Sequence, residues 1–256
     1  MYCDSHAHLD EPRFDDDREL IIEDLKNHDV GLIVNIGCDL PSSRSSVALA
    51  EKYPFIYAAV GSHPDDAASV NGKLLDEYRK LAENKKVVAL GEIGLDYYYE
   101  EVPRAQQINA FEQQMDLAQA LKLPVVVHMR DATEDALEVV KHHPDVRGVF
   151  HCFSGSVETA KFLIDRGWYI GFTGVITFKN ARRAVEVAKF LPLDRILTET
   201  DCPYMAPEPH RGHRNDSRYV PLVAAKIGEI KGISPEEAGK ITTENAMRFF
   251  GIPKIQ

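Results

Sequence analysis

With 256 residues, 44% of them hydrophobic and 27% charged, the chain has the make-up of a soluble globular protein and the length of a single α/β barrel. A formal net charge of −10 excludes a protein that grips nucleic acid through a broad basic face, while leaving room for an enzyme that holds phosphates locally with metals and a few arginines. No apolar stretch reaches the ~20 residues needed to cross a bilayer, and Met1-Tyr2-Cys3-Asp4-Ser5-His6 has neither a basic nor an apolar leader segment, so a cytoplasmic protein with no membrane association is expected.

Short apolar runs recur along the chain, each followed by an amphipathic segment. Tyr2-Cys3 leads into His6, Leu32-Ile33-Val34-Asn35-Ile36 ends at Gly37, and Ile56-Tyr57-Ala58-Ala59-Val60 ends at Gly61-Ser62-His63. Val87-Val88-Ala89-Leu90 ends at Gly91-Glu92, Pro124-Val125-Val126-Val127 at His128, and Gly148-Val149-Phe150 at His151. Tyr169-Ile170-Gly171-Phe172 ends at Thr173-Gly174, and Ile196-Leu197 leads through Thr198-Glu199-Thr200 to Asp201. These eight runs are too short for helices and continuous rather than alternating, as parallel strands covered on both faces are. Helical patterns fill the intervals. Ile108, Phe111, Met115, Leu117 and Ala118 form one stripe within Gln107 to Leu121, Ser156 caps a start with Glu158 in its first turn, and Ser234-Pro235-Glu236-Glu237 opens a last helix that Gly251 and Pro253 end. Strand and helix alternating eight times predict one (β/α)8 TIM barrel, a single domain over residues 1–256. A doubly wound open sheet would ordinarily need fewer strands and a crevice at a switch point.

The candidate chemistry sits at the downstream strand ends, where barrels of this kind carry their catalytic groups. His6 and His8, two apart in an extended segment, project to one face and can reach one metal ion. Glu92 follows four apolar residues, and a carboxylate there has two oxygens with which to bridge two cations; its bland alternative is an exposed strand end. His128 and His151 each read singly as a satisfied core histidine, but in phase with the others they read as ligands. Asp201 can serve as ligand and as the base that takes a proton from metal-activated water. Glu199, two residues earlier, is expected to orient a ligand histidine.

Around this set, His63 is expected to contact substrate or leaving group, or simply to close its strand. Asp96 could hold a substrate hydroxyl or a ligand histidine, and Tyr97-Tyr98-Tyr99 could stack on a base or sugar or pack on the next helix. Arg130, Arg211 and Arg214, the last two in a long proline-rich loop, are candidates for bidentate phosphate contacts. The four cysteines, Cys3, Cys38, Cys152 and Cys202, form no CxxC pair, which argues against a disulfide scaffold or a zinc ribbon; all four read as small buried residues.

Asp4-Ser5-His6-Ala7-His8, Gly91-Glu92-Ile93-Gly94-Leu95-Asp96-Tyr97, His151-Cys152-Phe153-Ser154-Gly155 and Glu199-Thr200-Asp201-Cys202-Pro203-Tyr204 resemble the signatures of TatD-type metal-dependent deoxyribonucleases, and Arg211-Gly212 with Asn215 extends the match. The resemblance runs from Asp4 to the C-terminal helix. It implies an amidohydrolase-like TIM barrel with one to three divalent cations (zinc, magnesium or manganese) that hydrolyses phosphodiester bonds of DNA, as an exonuclease on single strands. It also implies that His6, His8, Glu92 and Asp201 hold one metal and Glu92, His128 and His151 another. One position departs from the family: Asp65 stands where a second histidine often follows the proline after His63.

The same donor set could instead attack a carbonyl, as in an aminoacyl-tRNA deacylase or a small-molecule lactonase or amidase, because fold does not choose substrate. A binding module with purely structural metal would have a closed four-ligand site, often with cysteine, unlike this set. No coiled-coil pattern suggests an obligate protein partner.

Overall fold

The computed structural model describes residues 1–99 and 101–253. Eight parallel strands follow one another around one sheet in chain order: β1 (Tyr2–Ala7), β2 (Val30–Ile36), β3 (Ile56–Val60), β4 (Val87–Asp96), β5 (Val125–Arg130), β6 (Gly148–Phe150), β7 (Tyr169–Phe172) and β8 (Ile196–Thr198). The last seam, between β8 and β1, is drawn together just beyond the strand ends. There Asp201 N donates to the His6 carbonyl at 2.8 Å and His8 N to the Cys202 carbonyl at 3.0 Å. The architecture is the (β/α)8 barrel that the alternation predicts.

Parallel neighbours need crossovers, and helices provide them. They are α1 (Arg18–Asp24), α2 (Leu40–Lys52), α3 (Gly72–Leu81), α4 (Arg104–Leu121), α5 (Thr133–His142), α6 (Val157–Ile164), α7 (Arg182–Phe190) and α8 (Val220–Lys231), followed by a further helix, α9 (Pro235–Phe250). The caps are those expected. Ser156 accepts from Thr159 N, Ser234 accepts from Glu237 N with Pro235 at the first position, and Gly251 ends α9 at a φ of 68°. The helix expected from Gln107 begins three residues earlier, directly after Pro103. Among the described residues no helix is long and apolar enough to cross a membrane.

The largest difference from the sequence pattern is β4. The apolar run stops at Leu90, yet the strand continues through Glu92 to Asp96, all ten residues buried and paired with β5 as far as Asp96 opposite Arg130. Glu92 therefore lies inside a strand rather than at its end. Gly94 permits this: at a φ of 136°, a Cβ there would fall 2.0 Å from the His128 carbonyl oxygen.

Buried apolar side chains form two clusters. One joins outward strand residues such as Ile33, Leu90, Val125 and Val127 to the helices, through Phe111, Met115, Leu163, Val187, Val223 and Ile227. The other gathers Leu32, Val34, Ile36, Val88, Val126, Val149 and Leu197 with Met247, Phe249, Phe250 and Ile252 at the end of α9. Full burial of such a side chain contributes roughly 1.5–3 kcal/mol. The period of two along a strand ties this inner cluster to the polar residues above it. Val126 is two residues before His128, Val149 two before His151, and Leu197 two before Glu199 and four before Asp201. Inward faces that begin apolar near α9 thus end polar at the opposite mouth.

Candidate metal centre

Six side chains from five strands, or from the residues just past them, converge at that mouth. β1 and the residue following it supply His6 and His8, β4 supplies Glu92, β5 supplies His128, and the residues past β6 and β8 supply His151 and Asp201. Glu92 is the hub, and its two oxygens face different partners. Oε1 lies 2.7 Å from His151 Nε2, 2.9 Å from His128 Nδ1 and 3.8 Å from His63 Nε2. Oε2 lies 3.3 Å from His6 Nε2 and 3.7 Å from His8 Nε2. Asp201 Oδ1 closes the second group, 3.6 Å from His6 Nε2 and 3.4 Å from His8 Nε2.

Seam closure sets up this group. The two backbone hydrogen bonds that join β1 to the β8 end flank His6, His8 and Asp201, so the contacts completing the barrel also bring these three side chains together. Beneath them buried Asp4 accepts from Thr200 N at 2.9 Å and Thr200 Oγ1 at 2.6 Å, which fixes the register of the two segments. Asp201 and Cys152 hold φ angles of 56° and 41°, a left-handed conformation that costs a non-glycine residue roughly 1–2 kcal/mol.

Several neighbours orient the central donors. His8 Nδ1 faces the Ile36 carbonyl at 2.9 Å, which leaves Nε2 for the centre. Asp96 Oδ2 meets His128 Nε2 at 3.0 Å, and its other oxygen accepts from Tyr98 N. Glu199 accepts from Cys152 N at 2.5 Å and stands 3.7 Å from His151 Nδ1. His63 caps the turn that follows it by accepting from Asp65 N, and its ring meets His128 edge-on. Asp65, the departure noted in the sequence, approaches His63 Nδ1 to 3.3 Å.

Electrostatics follow from crowding like groups out of water. Burial pushes the Glu92 carboxyl up, but His151, His6 and His128 together hold it well below the ordinary carboxylate range. Burial likewise raises Asp201, and the hydrogen bond with His8 and the nearby His6 and His151 bring it below its usual value. His128 loses basicity to burial and regains more from Asp96 and Glu92, reaching about 9. Burial and the neighbouring His151 push His6 down to about 4. Burial raises Glu199 to about 8. His6 and His8 face nitrogen to nitrogen at 3.1 Å, as do His128 and His151 at 3.2 Å, so at most one proton can sit in each gap. Among the described residues, two buried ring nitrogens, Nδ1 of His6 and of His151, have no hydrogen-bond partner.

These features fit divalent cations. Among the described residues, four triads, drawn from His6, His8, Cys38, His63, Glu92, His128, His151 and Asp201, have donor atoms within 4.8 Å of one another. Neutral imidazole and carboxylate together suit zinc, manganese or iron, and magnesium where oxygen predominates. A cation bound here would take the place of the protons that otherwise keep the paired nitrogens and carboxylates compatible.

A cavity of about 870 Å³ opens over the cluster. Of the side chains expected to meet substrate, His63, Asp96 and Arg130 line it, while Tyr97, Arg211 and Arg214 do not. Tyr97 donates to Asp135 at 2.6 Å and lies under Arg104, tying β4 to α5. Arg211 lies over Phe178, and Arg214 bonds the Arg13 carbonyl and pairs with Asp17 beside Phe14. Arg130 stacks over the half-exposed Tyr98, 3.7 Å from its ring centre, and Tyr99 joins the lining. Cys38 also lines the cavity, although its sequence context reads as packing. The available signal was its place two residues beyond an apolar run, the phase that marks the other site residues.

Comparison with known proteins agrees with this geometry. The family model described as TatD related DNase matches residues 3–251. The chain is 44% identical over 254 residues to YabD of Bacillus subtilis, named as a metal-dependent hydrolase, covering 98% of this chain and all of that one. It is 37% identical to YcfH of Escherichia coli K12, also named as a metal-dependent hydrolase, covering 97% and 95% of the two chains. The crystal structure of YjjV, a TatD homologue from Escherichia coli K12, superposes with a TM-score of 0.92 at 30% identity and covers 98% of both chains.

Proposed function

The chain belongs to the TatD-related DNase family, and from that premise we propose a metal-dependent hydrolase that cleaves phosphodiester bonds of DNA, working from the ends of single strands. The observation that carries this reading is the division of Glu92: one oxygen faces His128 and His151, the other faces His6 and His8 beside Asp201. His6, His8, Glu92 and Asp201 would hold one cation, and Glu92, His128 and His151 a second. Such ions polarise a phosphoryl oxygen and lower the pKa of water.

The chain's own residues provide the rest. Asp201, kept ionised by its histidine neighbours at the cavity floor, takes the proton from the attacking water. Asp96 fixes the His128 ring through Nε2, so that Nδ1 stays aimed at Glu92. His63 would contact the departing oxygen, a role supported by its position beside Glu92 Oε1 and open to the cavity. Arg130 holds a flanking phosphate in the cavity, and Tyr99, which lines it, offers an aromatic ring to unpaired bases. Local contacts of this sort reconcile a polyanionic substrate with a chain of net charge −10.

The test uses single-stranded DNA labelled at the 3′ or the 5′ end and metal-free protein, to which magnesium, manganese or zinc is added. Cleavage that needs metal and is missing in Glu92→Ala is expected, with the label pattern giving the direction. Failure with every metal, together with hydrolysis of an aminoacyl ester, would move the assignment to an acyl hydrolase.

A further inference from the structure

Cys38 lies two residues past β2, on the side of the cavity that faces Glu92 Oε2. Its Sγ is 3.8 Å from that oxygen and 3.7 Å from His8 Nδ1. Cys38, His8 and Glu92 form one of the four triads whose donor atoms converge. Ligand atoms bound to one ion at about 2.0–2.3 Å stand roughly 3–4 Å apart, so the sulfur–oxygen spacing suits a shared ion as well as the nitrogen–oxygen spacings do. The other cysteines are placed differently. Cys3 and Cys202 are buried away from the cavity, and Cys152 Sγ rests 3.6 Å from Met205 Sδ and 3.4 Å from Thr173 Oγ1. Among the described residues none of these three joins a ligand triad.

We propose that Cys38 is a sulfur ligand of the metal centre, sharing a cation with Glu92 Oε2, and that it biases the centre toward thiophilic ions such as zinc over magnesium. The proposal rests on the metal-centre reading above. Binding forms one Sγ–cation bond and releases the thiol proton to solvent, with no change of oxidation state. A soft donor beside imidazole and carboxylate strengthens binding of zinc, cadmium or cobalt far more than of magnesium or manganese, which prefer oxygen. The rival arrangement, a Cys38 thiol that only donates its S–H to Glu92, predicts no metal–sulfur bond.

Cobalt(II) added to the metal-free, full-length protein separates the two. Visible ligand-field bands report cobalt in the histidine and carboxylate site, whereas a near-ultraviolet charge-transfer band reports a thiolate bound to it. The expected result is both signals in wild type and Cys152→Ser, and ligand-field bands alone in Cys38→Ser and Cys38→Ala. Cadmium affinity should fall about tenfold or more in Cys38→Ser, at least the scale seen on losing an outer partner of a ligand, while manganese affinity holds. A charge-transfer band missing from wild type or retained in Cys38→Ser overturns the proposal and leaves the metal centre standing. So does an equal loss of cadmium and manganese affinity, which would mark Cys38 as structural. No cobalt signal of either kind overturns the metal-centre reading and this proposal with it.

Discussion

The two ends of the barrel are built on the same strands and solve opposite problems. At the floor, α9 brings Met247, Phe249 and Phe250 against Leu32, Val88, Val126 and Tyr169, and its own termini are satisfied by Ser234 and Gly251. At the mouth, the inward positions carry four buried or half-buried histidines with the carboxylates of Glu92, Glu199 and Asp201, with nitrogens facing nitrogens and two ring nitrogens left without partners among the described residues. Buried polar groups favour folding only when they are paired. The floor is thus where the fold gains most of its apolar stability, and the mouth gives up some of it for an arrangement of donors that a cation would complete. The contrast teaches that stability and chemistry can be altered separately in this molecule, and each prediction below tests that separation.

The largest expected effect is at the hub. Glu92→Ala removes the one carboxylate that both donor groups share, and turnover should fall by about 10³-fold or more, the scale of losing a principal electrostatic group. The metal-free variant should stay folded but melt below metal-free wild type, because His151, His6 and His128 lose the carboxylate that they stabilise and that offsets their own charge. A thermal melt in chelator alongside single-turnover kinetics checks both halves. A variant that unfolds would mean that Glu92 holds the barrel together. The floor should give the mirror image. Phe249→Ala opens a cavity beside Tyr169 and Phe250 and should cost about 3–5 kcal/mol in denaturant unfolding, with activity per folded molecule unchanged. Comparable losses of activity and stability in that variant would break the separation.

A smaller effect is expected one contact away from the centre. Asp96→Asn keeps the shape at β4 but weakens the partner of His128 Nε2, so metal affinity should fall about 10- to 100-fold, with saturating metal restoring most of the activity. Titration by calorimetry reads this directly. A loss of activity that metal cannot restore would instead place Asp96 against substrate.

The strand rhythm was legible in the sequence because apolar burial writes itself as continuous runs for strands covered on both faces, and the bounds of α9 were legible from its Ser234 cap and its Gly251 stop. Convergence at the mouth was legible for the same reason, since a polar residue directly after a buried run has few places to go. What the pattern missed depends on three-dimensional neighbours. The extension of β4 to Asp96 follows from pairing with β5 and from Gly94 meeting the His128 carbonyl, neither of which leaves an apolar trace. Cys38 reads as packing because a thiol is small and commonly buried, and only the fold brings it to within 3.8 Å of Glu92. Loop arginines are the hardest case, because a guanidinium reaches far and its partner is set by whichever acid the loop passes.

Arg214 is that case, and it carries the smallest prediction. From its loop it reads as a phosphate contact, yet the fold pairs it with Asp17 just before α1 and sets it over Phe14, outside the cavity lining. Exposed ion pairs contribute about 0.2–1 kcal/mol, so as a tether it should matter little to stability. If it only anchors the mouth loop to α1, Arg214→Ala and Asp17→Asn break the same contact and should shift KM for DNA equally, by less than about fivefold, with no further change in the double variant. If Arg214 instead leaves Asp17 to grip a phosphate, Asp17→Asn frees it and should lower KM, while Arg214→Ala raises it. The sign of the Asp17→Asn effect therefore decides whether the loop's arginine belongs to the scaffold or to the substrate, even where both effects are small.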